Sequence, residues 1–335
     1  MTSPNVVDTA EDRPPVSTEP LQRRSHITSS LKPIFVGPNG LRAGWRELIF
    51  LALLGVQLTS LPFIPRLFPA LGPPSGLAPG TITPVLLGGN DAILILFVCI
   101  ATWIMARIEH RRFSEYGLPV RQALGKDFWF GTLLGFLAIS GTLLTIFLLH
   151  GFRITGLAIH GTTILSSLVA WGITFFLVGV LEEFGFRGYV QYTLASGMGF
   201  WPAAFLISGL FGVTHLLADP NENVMGSAAV VMFGLLLCLF LRRTGNLWCA
   251  VGFHLAYDWG QTFFYGVPDS GIVPYHNLFN STRSGARWLT GGDVGPEASV
   301  LTPIALLAVA LVFSRYYREN RYQTFKPRSL PATVS

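Results

Sequence analysis

The sequence predicts an all-α protein, a polytopic transmembrane helical bundle of about eight spans. Three observations carry this reading. Half of the 335 residues are hydrophobic and only 12% are charged, where soluble globular domains run near a quarter charged. Fifteen of the 41 Lys, Arg, Asp and Glu residues fall in 1–44 and 315–335, which leaves 26 charges for the 270 residues between. A soluble fold of that size could not cover its surface with so few. The apolar residues are also gathered into eight long runs, at roughly 45–64, 89–106, 128–149, 163–182, 201–217, 227–241, 246–265 and 300–314. This excludes a disordered protein, a coiled coil and an ordinary cytosolic enzyme.

Each element has its reason. Residues 1–44 are polar, carry scattered Pro, Ser and Thr, lack a signal-peptide pattern, and are expected to form a disordered cytoplasmic arm. The membrane domain is expected over 45–314. A helix needs about 20 residues to cross a bilayer core, so the shorter runs are expected to tilt or to include polar ends. Glycine is frequent within the runs, as close helix packing in lipid requires. Trp45, Trp103, Trp129, Trp201 and Trp248 fall near predicted ends and suit aromatic belts. Six prolines between 65 and 84 make 65–88 a connecting loop. Residues 266–299 are polar and glycine-rich, the longest loop and one placed to cap a site. A cytoplasmic tail is expected over 315–335.

Lys and Arg set the orientation. With the N-terminus inside and the spans alternating, 19 of the 23 basic residues fall on one side and four on the other. Both termini are therefore expected to be cytoplasmic, in a multi-pass cell-membrane protein. The same distribution assigns the net charge of +5 to topology and not to nucleic acid. Cys99, Cys238 and Cys249 all sit in apolar runs without metal or redox spacing and read as small buried hydrophobes.

Charges inside a span are costly and mark function by default. Away from the span ends they reduce to Glu182, Glu183, Arg187, His215, His254 and Asp258, with Asp91 at a span entrance reading as an interfacial cap. Glu183 and Arg187, Phe211 and His215, and His254 and Asp258 share an i,i+4 spacing, which puts each pair on one helix face. Glu182 lies 15 positions before Gly197 and His215 lies 15 after Phe200. If helix four continues through 183–196 to a turn near Gly197–Gly199, both stand about 22 Å from that turn. A shared site requires this equality of level.

Two adjacent carboxylates point about 100° apart on a helix and cannot do the same work. Arg187 keeps Glu183 ionised and oriented. Glu182 lacks such a partner and suits a general base toward water. One Glu and two His match the composition of a hydrolytic zinc site, with Glu182, His215 and His254 as ligands of a divalent metal. They match equally a metal-free site in which Glu182 activates water and the imidazoles stabilise an oxyanion. The chain has no H-E-x-x-H helix. Both routes end in attack of water on a carbonyl.

These residues resemble the CPBP family, the CAAX proteases and bacteriocin-processing enzymes of type II CAAX prenyl endopeptidase kind. The family's E-E-x-x-x-R, F-x-x-x-H and H-x-x-x-N/D motifs read here as Glu182-Glu183-x-x-x-Arg187, Phe211-x-x-x-His215 and His254-x-x-x-Asp258, in order, within a core of about 163–265. Glu109–Pro119 is similar to the family's pre-core loop. The resemblance implies a CAAX-protease-like multi-pass fold and an intramembrane endopeptidase. Its implied substrate is a peptide or lipidated protein within the bilayer, of prenylated CAAX or bacteriocin or leader type. It implies Glu182 as the base, Glu183 and Arg187 as its orienters, and His215 and His254 on the oxyanion or a metal. Members that process CAAX proteins carry Asn where this chain has Asp258. An ionised Asp cannot donate a hydrogen bond, so Asp258 is protonated, a metal ligand or an orienter of His254. Two other functions compete: a noncatalytic membrane immunity or binding protein that keeps the fold, and a proton-coupled transporter. The last should show internal repeats or broken helices, and the sequence has no obvious repeat.

Overall fold

The computed structural model of the protein describes residues 1–2, 35–37, 40–69, 76, 81–218 and 221–323. Most of the expected arm and residues 324–335 of the expected tail lie outside the described residues. Within Met1–Arg42 the strands Val36–Gly37 and Gly40–Leu41 pair antiparallel. Ala43–Ser335 forms a second, helical unit. Its principal helices are α1 (Ala43–Leu58), α2 (Pro84–Ile108), α3 (Lys126–Leu148), α4 (Thr162–Arg187), α5 (Tyr189–Met198), α6 (Phe200–Ala218), α7 (Val224–Thr244), α8 (Trp248–Trp259) and α9 (Leu301–Tyr316).

Their limits follow local chemistry. Helix α2 starts with Pro84 in its first turn, and the Thr83 hydroxyl accepts the Leu86 N–H. Helix α7 starts at Asn223, whose side chain accepts from the Met225 and Gly226 N–H groups, and it stops at Gly245 in the left-handed conformation (φ 76°). Helix α4 does not run on to residue 196 as the sequence suggested. It breaks at Gly188 (φ −78°, ψ −118°), where a Cβ would stand 2.3 Å from the Phe184 carbonyl oxygen.

Among the described residues, six helical segments are long and apolar enough to cross a membrane: Ala43–Leu67, Pro84–Ile108, Lys126–Leu148, Thr162–Met198, Phe200–Ala218 and Val224–Thr244. The other two apolar runs form shorter helices. Helix α9 has 16 residues. Helix α8 has 12, continued by a five-residue π-helical turn, Gly260–Phe264. Ten of the 12 residues of α8 are buried. A helix enclosed by protein need not match the hydrocarbon thickness, which explains its brevity.

The outer helices show the opposite pattern. Helix α3 turns Leu133, Leu137 and Leu144 outward, each more than half exposed, while Leu134, Ala138 and Ile139 are buried. Such a face is unsuited to water and suited to lipid. Trp103 and Trp129 are likewise exposed. Trp248 is not a belt residue: it is buried, and its indole N–H donates to the Pro119 carbonyl at 3.0 Å.

Helices α3 and α8 approach at glycines. A Cβ on Gly131 would meet the Cys249 carbonyl oxygen at 2.1 Å, one on Gly135 the Phe253 oxygen at 2.1 Å, and one on Gly252 the Phe128 oxygen at 2.1 Å. This contact seats His254 one residue beyond Phe253. The two ends of the unit are sewn separately. At one end, β1 (Thr81–Ile82) pairs parallel with β3 (Val273–Pro274), and β2 (Phe152–Leu157) pairs antiparallel with β4 (Phe279–Arg283). At the other, Arg46 pairs with Glu109 at 3.0 Å, the Tyr317 hydroxyl donates to Asp127 at 2.6 Å, and Asn246 donates to Gln122 at 2.8 Å. Every one of these links joins segments that the alternation of spans puts on a common side. Gly135→Ala is expected to cost about 1–3 kcal/mol by overpacking, read as a lower melting temperature in detergent. Gly141→Ala, on an open face of the same helix, should leave melting nearly unchanged.

Candidate active site

Three helices bring the six predicted residues together. Helix α4 carries Glu182, Glu183 and Arg187, α6 carries His215, and α8 carries His254 and Asp258. Adjacent on α4, the two glutamates divide as expected. Glu183 is fully buried and takes the Arg187 guanidinium at 2.9 Å, also fully buried. Glu182 remains a quarter exposed. His254 joins them: its Nδ1 lies 2.9 Å from the same Glu183 Oε1, and its Nε2 lies 3.4 Å from Glu182 Oε2 and 3.3 Å from Asp258 Oδ2. Both ring nitrogens thus face carboxylate oxygen and are placed to donate.

His215 stands across from Glu182, Nε2 to Oε2, at 4.0 Å. Its Nδ1 is 2.9 Å from the Phe211 carbonyl oxygen. A carbonyl only accepts, so Nδ1 carries the proton and Nε2 is left to face Glu182. Phe211 therefore does more than pack. Its carbonyl orients His215, and its ring lies under the Arg187 guanidinium at 4.5 Å and against the His215 ring at 4.4 Å. Gly234 of α7 leaves the space for Arg187: a Cβ there would stand 2.7 Å from Nη2.

A cavity of about 190 Å³ adjoins this group. Trp171, Phe175, Val178 and Glu182, successive on one face of α4, line its length. It reaches Ile82, Asp269 and Ile272 in the segments that carry the paired strands. The long loop 266–299 is thus part of the cavity wall. Asp91 also lines the cavity and is 7% exposed, so it is not an interfacial cap. Sequence reading missed Asp269 and Glu297, which complete the acidic wall. Asp269 forms an isolated bridge with Ile272 and Glu297 sits in the short 3-10 helix Pro296–Ala298, and no local sequence pattern marks either. The Glu297 carboxylate accepts the Ser270 N–H. Asp269 accepts from Thr262 at 3.0 Å and from Gln261 at 3.2 Å. Burial, then the charges of Asp258 and Glu297, push the Asp269 carboxyl well above the usual carboxylate range. Burial, then Glu222, does the same to Glu297.

Among the described residues no group of three or more His, Cys, Asp or Glu side chains is arranged to hold a metal ion. Glu182, His215 and His254 converge, with Glu182 Oε2 between the two Nε2 atoms, but not as a ligand shell.

Paired glutamates, an arginine and two histidines thus meet on three packed helices of an apolar helical bundle. Residues 164–260, which contain all six predicted site residues, match the family described as type II CAAX prenyl endopeptidase Rce1-like. Over this segment the chain is similar to that protease family. The chain is also similar to the uncharacterized protein YyaK of Bacillus subtilis (strain 168), 24% identical over 203 residues, which cover 58% of this chain and 67% of that protein.

Two measurements check the electrostatics. Arg187→Met leaves the Glu183 charge buried without its partner and should lower unfolding free energy by about 3–5 kcal/mol. Adding Glu183→Gln should recover part of that loss, read by thermal melting. Folding raises the pKa values of Asp269 and Glu297, so the folded state keeps protons that the unfolded state releases above about pH 4. Their contribution to stability is therefore greatest below that pH and declines as pH rises toward the folded values. Glu297→Gln should flatten the decline of melting temperature with pH.

Proposed function

We propose that this chain is an intramembrane endopeptidase that hydrolyses a peptide bond with water activated by Glu182. The observation that carries the reading is the division of labour between the glutamates. Glu183 is sealed away with Arg187, while Glu182 stands at the cavity between the Nε2 atoms of His215 and His254.

The chemistry follows from those positions. Glu182 takes a proton from water as its oxygen attacks the carbonyl carbon of a peptide in the cavity. His254, held by Glu183 at Nδ1 and facing the cavity with Nε2, donates to the oxyanion that forms. His215 steadies the water through its free Nε2. Glu182 then gives its proton to the leaving nitrogen, the C–N bond breaks, and an acid and an amine leave. Asp258 orients His254 from one turn along α8. Glu183 and Arg187 are positioning residues.

The substrate is a peptide or lipidated protein reached from the bilayer, of CAAX type or of leader type. The long apolar helical segments support a membrane location, and the excess of Lys and Arg supports a cytoplasmic location for the end opposite the paired strands. The cavity would then face away from the cytoplasm.

In liposomes, Glu182→Gln should reduce cleavage of a quenched peptide library by about 10²-fold or more with melting unchanged. Full activity in that variant would remove Glu182 as the base. A chelator added to the wild-type wells would separate the two routes: undiminished cleavage supports the metal-free one, and loss restored by zinc supports a ligand role for Glu182, His215 and His254.

A further inference from the structure

The cavity is more acidic than hydrolysis requires. Asp91, Glu182, Asp258, Asp269 and Glu297 all line it, and among the described residues its lining contains no Lys or Arg. The two imidazoles are both engaged at the Glu182 end. Asp91 is the telling member. It lies two turns inside α2, past the reach of a helix cap, and is more than nine-tenths buried. Its Oδ2 has no hydrogen-bond partner. A buried carboxylate oxygen left unpaired is costly, and that cost is recovered when a donor arrives in the cavity.

Two further features fit one kind of donor. The Trp171 and Phe175 rings stack at 5.4 Å along the same wall. Such a wall covers the aliphatic stem of a basic side chain and attracts its charged head. Burial, then the neighbouring carboxylates, raise the Asp269 and Glu297 carboxyls, and an arriving positive charge opposes that shift. Asp91, Asp269 and Glu297 lie outside the matched segment 164–260, so the acidic wall is supplied by parts of the chain beyond the family core.

We propose that the cavity, with Asp91, Asp269 and Glu297 on its wall, holds a specificity subsite for a lysine or arginine side chain close to the cleaved bond. The inference rests on the peptidase reading for its meaning, and its test does not. A peptide with an acidic residue at that position is disfavoured by the same charges.

The experiment measures binding and cleavage separately on the full chain in liposomes. The probes are N-acetylated, C-amidated peptide pools in which each position in turn is fixed as arginine, citrulline or glutamate. Citrulline keeps the shape of arginine without its charge. Binding is measured on Glu182→Gln protein, so hydrolysis does not enter. At one position arginine pools should bind about tenfold or more tighter than citrulline pools, and glutamate pools weaker still. Asp269→Asn and Glu297→Gln, each added to that protein and each checked for a cooperative melting transition, should remove most of the preference, as should Asp91→Asn. Equal binding of arginine and citrulline pools at every position overturns the proposal. So does a preference that survives all three variants. If arginine is preferred in binding and the Glu182 protein cleaves none of the pools, the peptidase reading fails and the subsite stands.

Discussion

The site depends on one interaction, the ion pair of Glu183 and Arg187 within α4, withdrawn completely from solvent. Removing two charges from solvent costs several kcal/mol for each ion, and their attraction seldom does more than return it. The pair therefore contributes position more than stability. Its carboxylate also meets His254 Nδ1, which ties α8 to α4, and its guanidinium lies on the Phe211 ring, which ties α6 to both. Glu182, one residue earlier, inherits a fixed place at the cavity because its neighbour cannot move.

Packing in the bundle serves that constraint. Helix α8 is short and enclosed, and it meets α3 at glycines where no side chain larger than hydrogen fits. Backbone contact of this kind allows little sliding, so His254 and Asp258 keep their level against α4. Leucines on the outer face of α3 are free to meet lipid. The break at Gly188 separates the site-bearing α4 from α5, and α5 turns into the hairpin that carries His215 back on α6. The level argument from counting residues reached the right neighbours although helix four is interrupted. Glu182 and His215 do meet, because α5 and α6 still reverse the chain near Gly199.

Much of the fold was legible in the residues themselves. Apolar runs and scarce charge are local properties, and each of the eight runs became a helix. The six ionisable residues stood out because a charge in an apolar run is conspicuous wherever it falls. Phe211 was legible only as the residue one turn before His215, and its carbonyl's hold on His215 is invisible in a list of side chains. Asp91 was placed at the entrance of a span when it lies inside the helix and on the cavity. Trp248 looked like a belt residue and is instead enclosed.

By itself the sequence determined the helical membrane class, the order of the motifs and the pairing of residues one turn apart, since each is written in neighbours along the chain. The tertiary structure decided what lies across space. It brought Glu183 Oε1 to His254, 71 residues away. It set Asp91 of α2 in one cavity with Asp269 and Glu297 of the long loop. It also showed that two apolar runs end short of a full span. Helical periodicity constrains contacts only within a few turns, while a cavity wall is assembled from segments whose spacing along the chain carries no period.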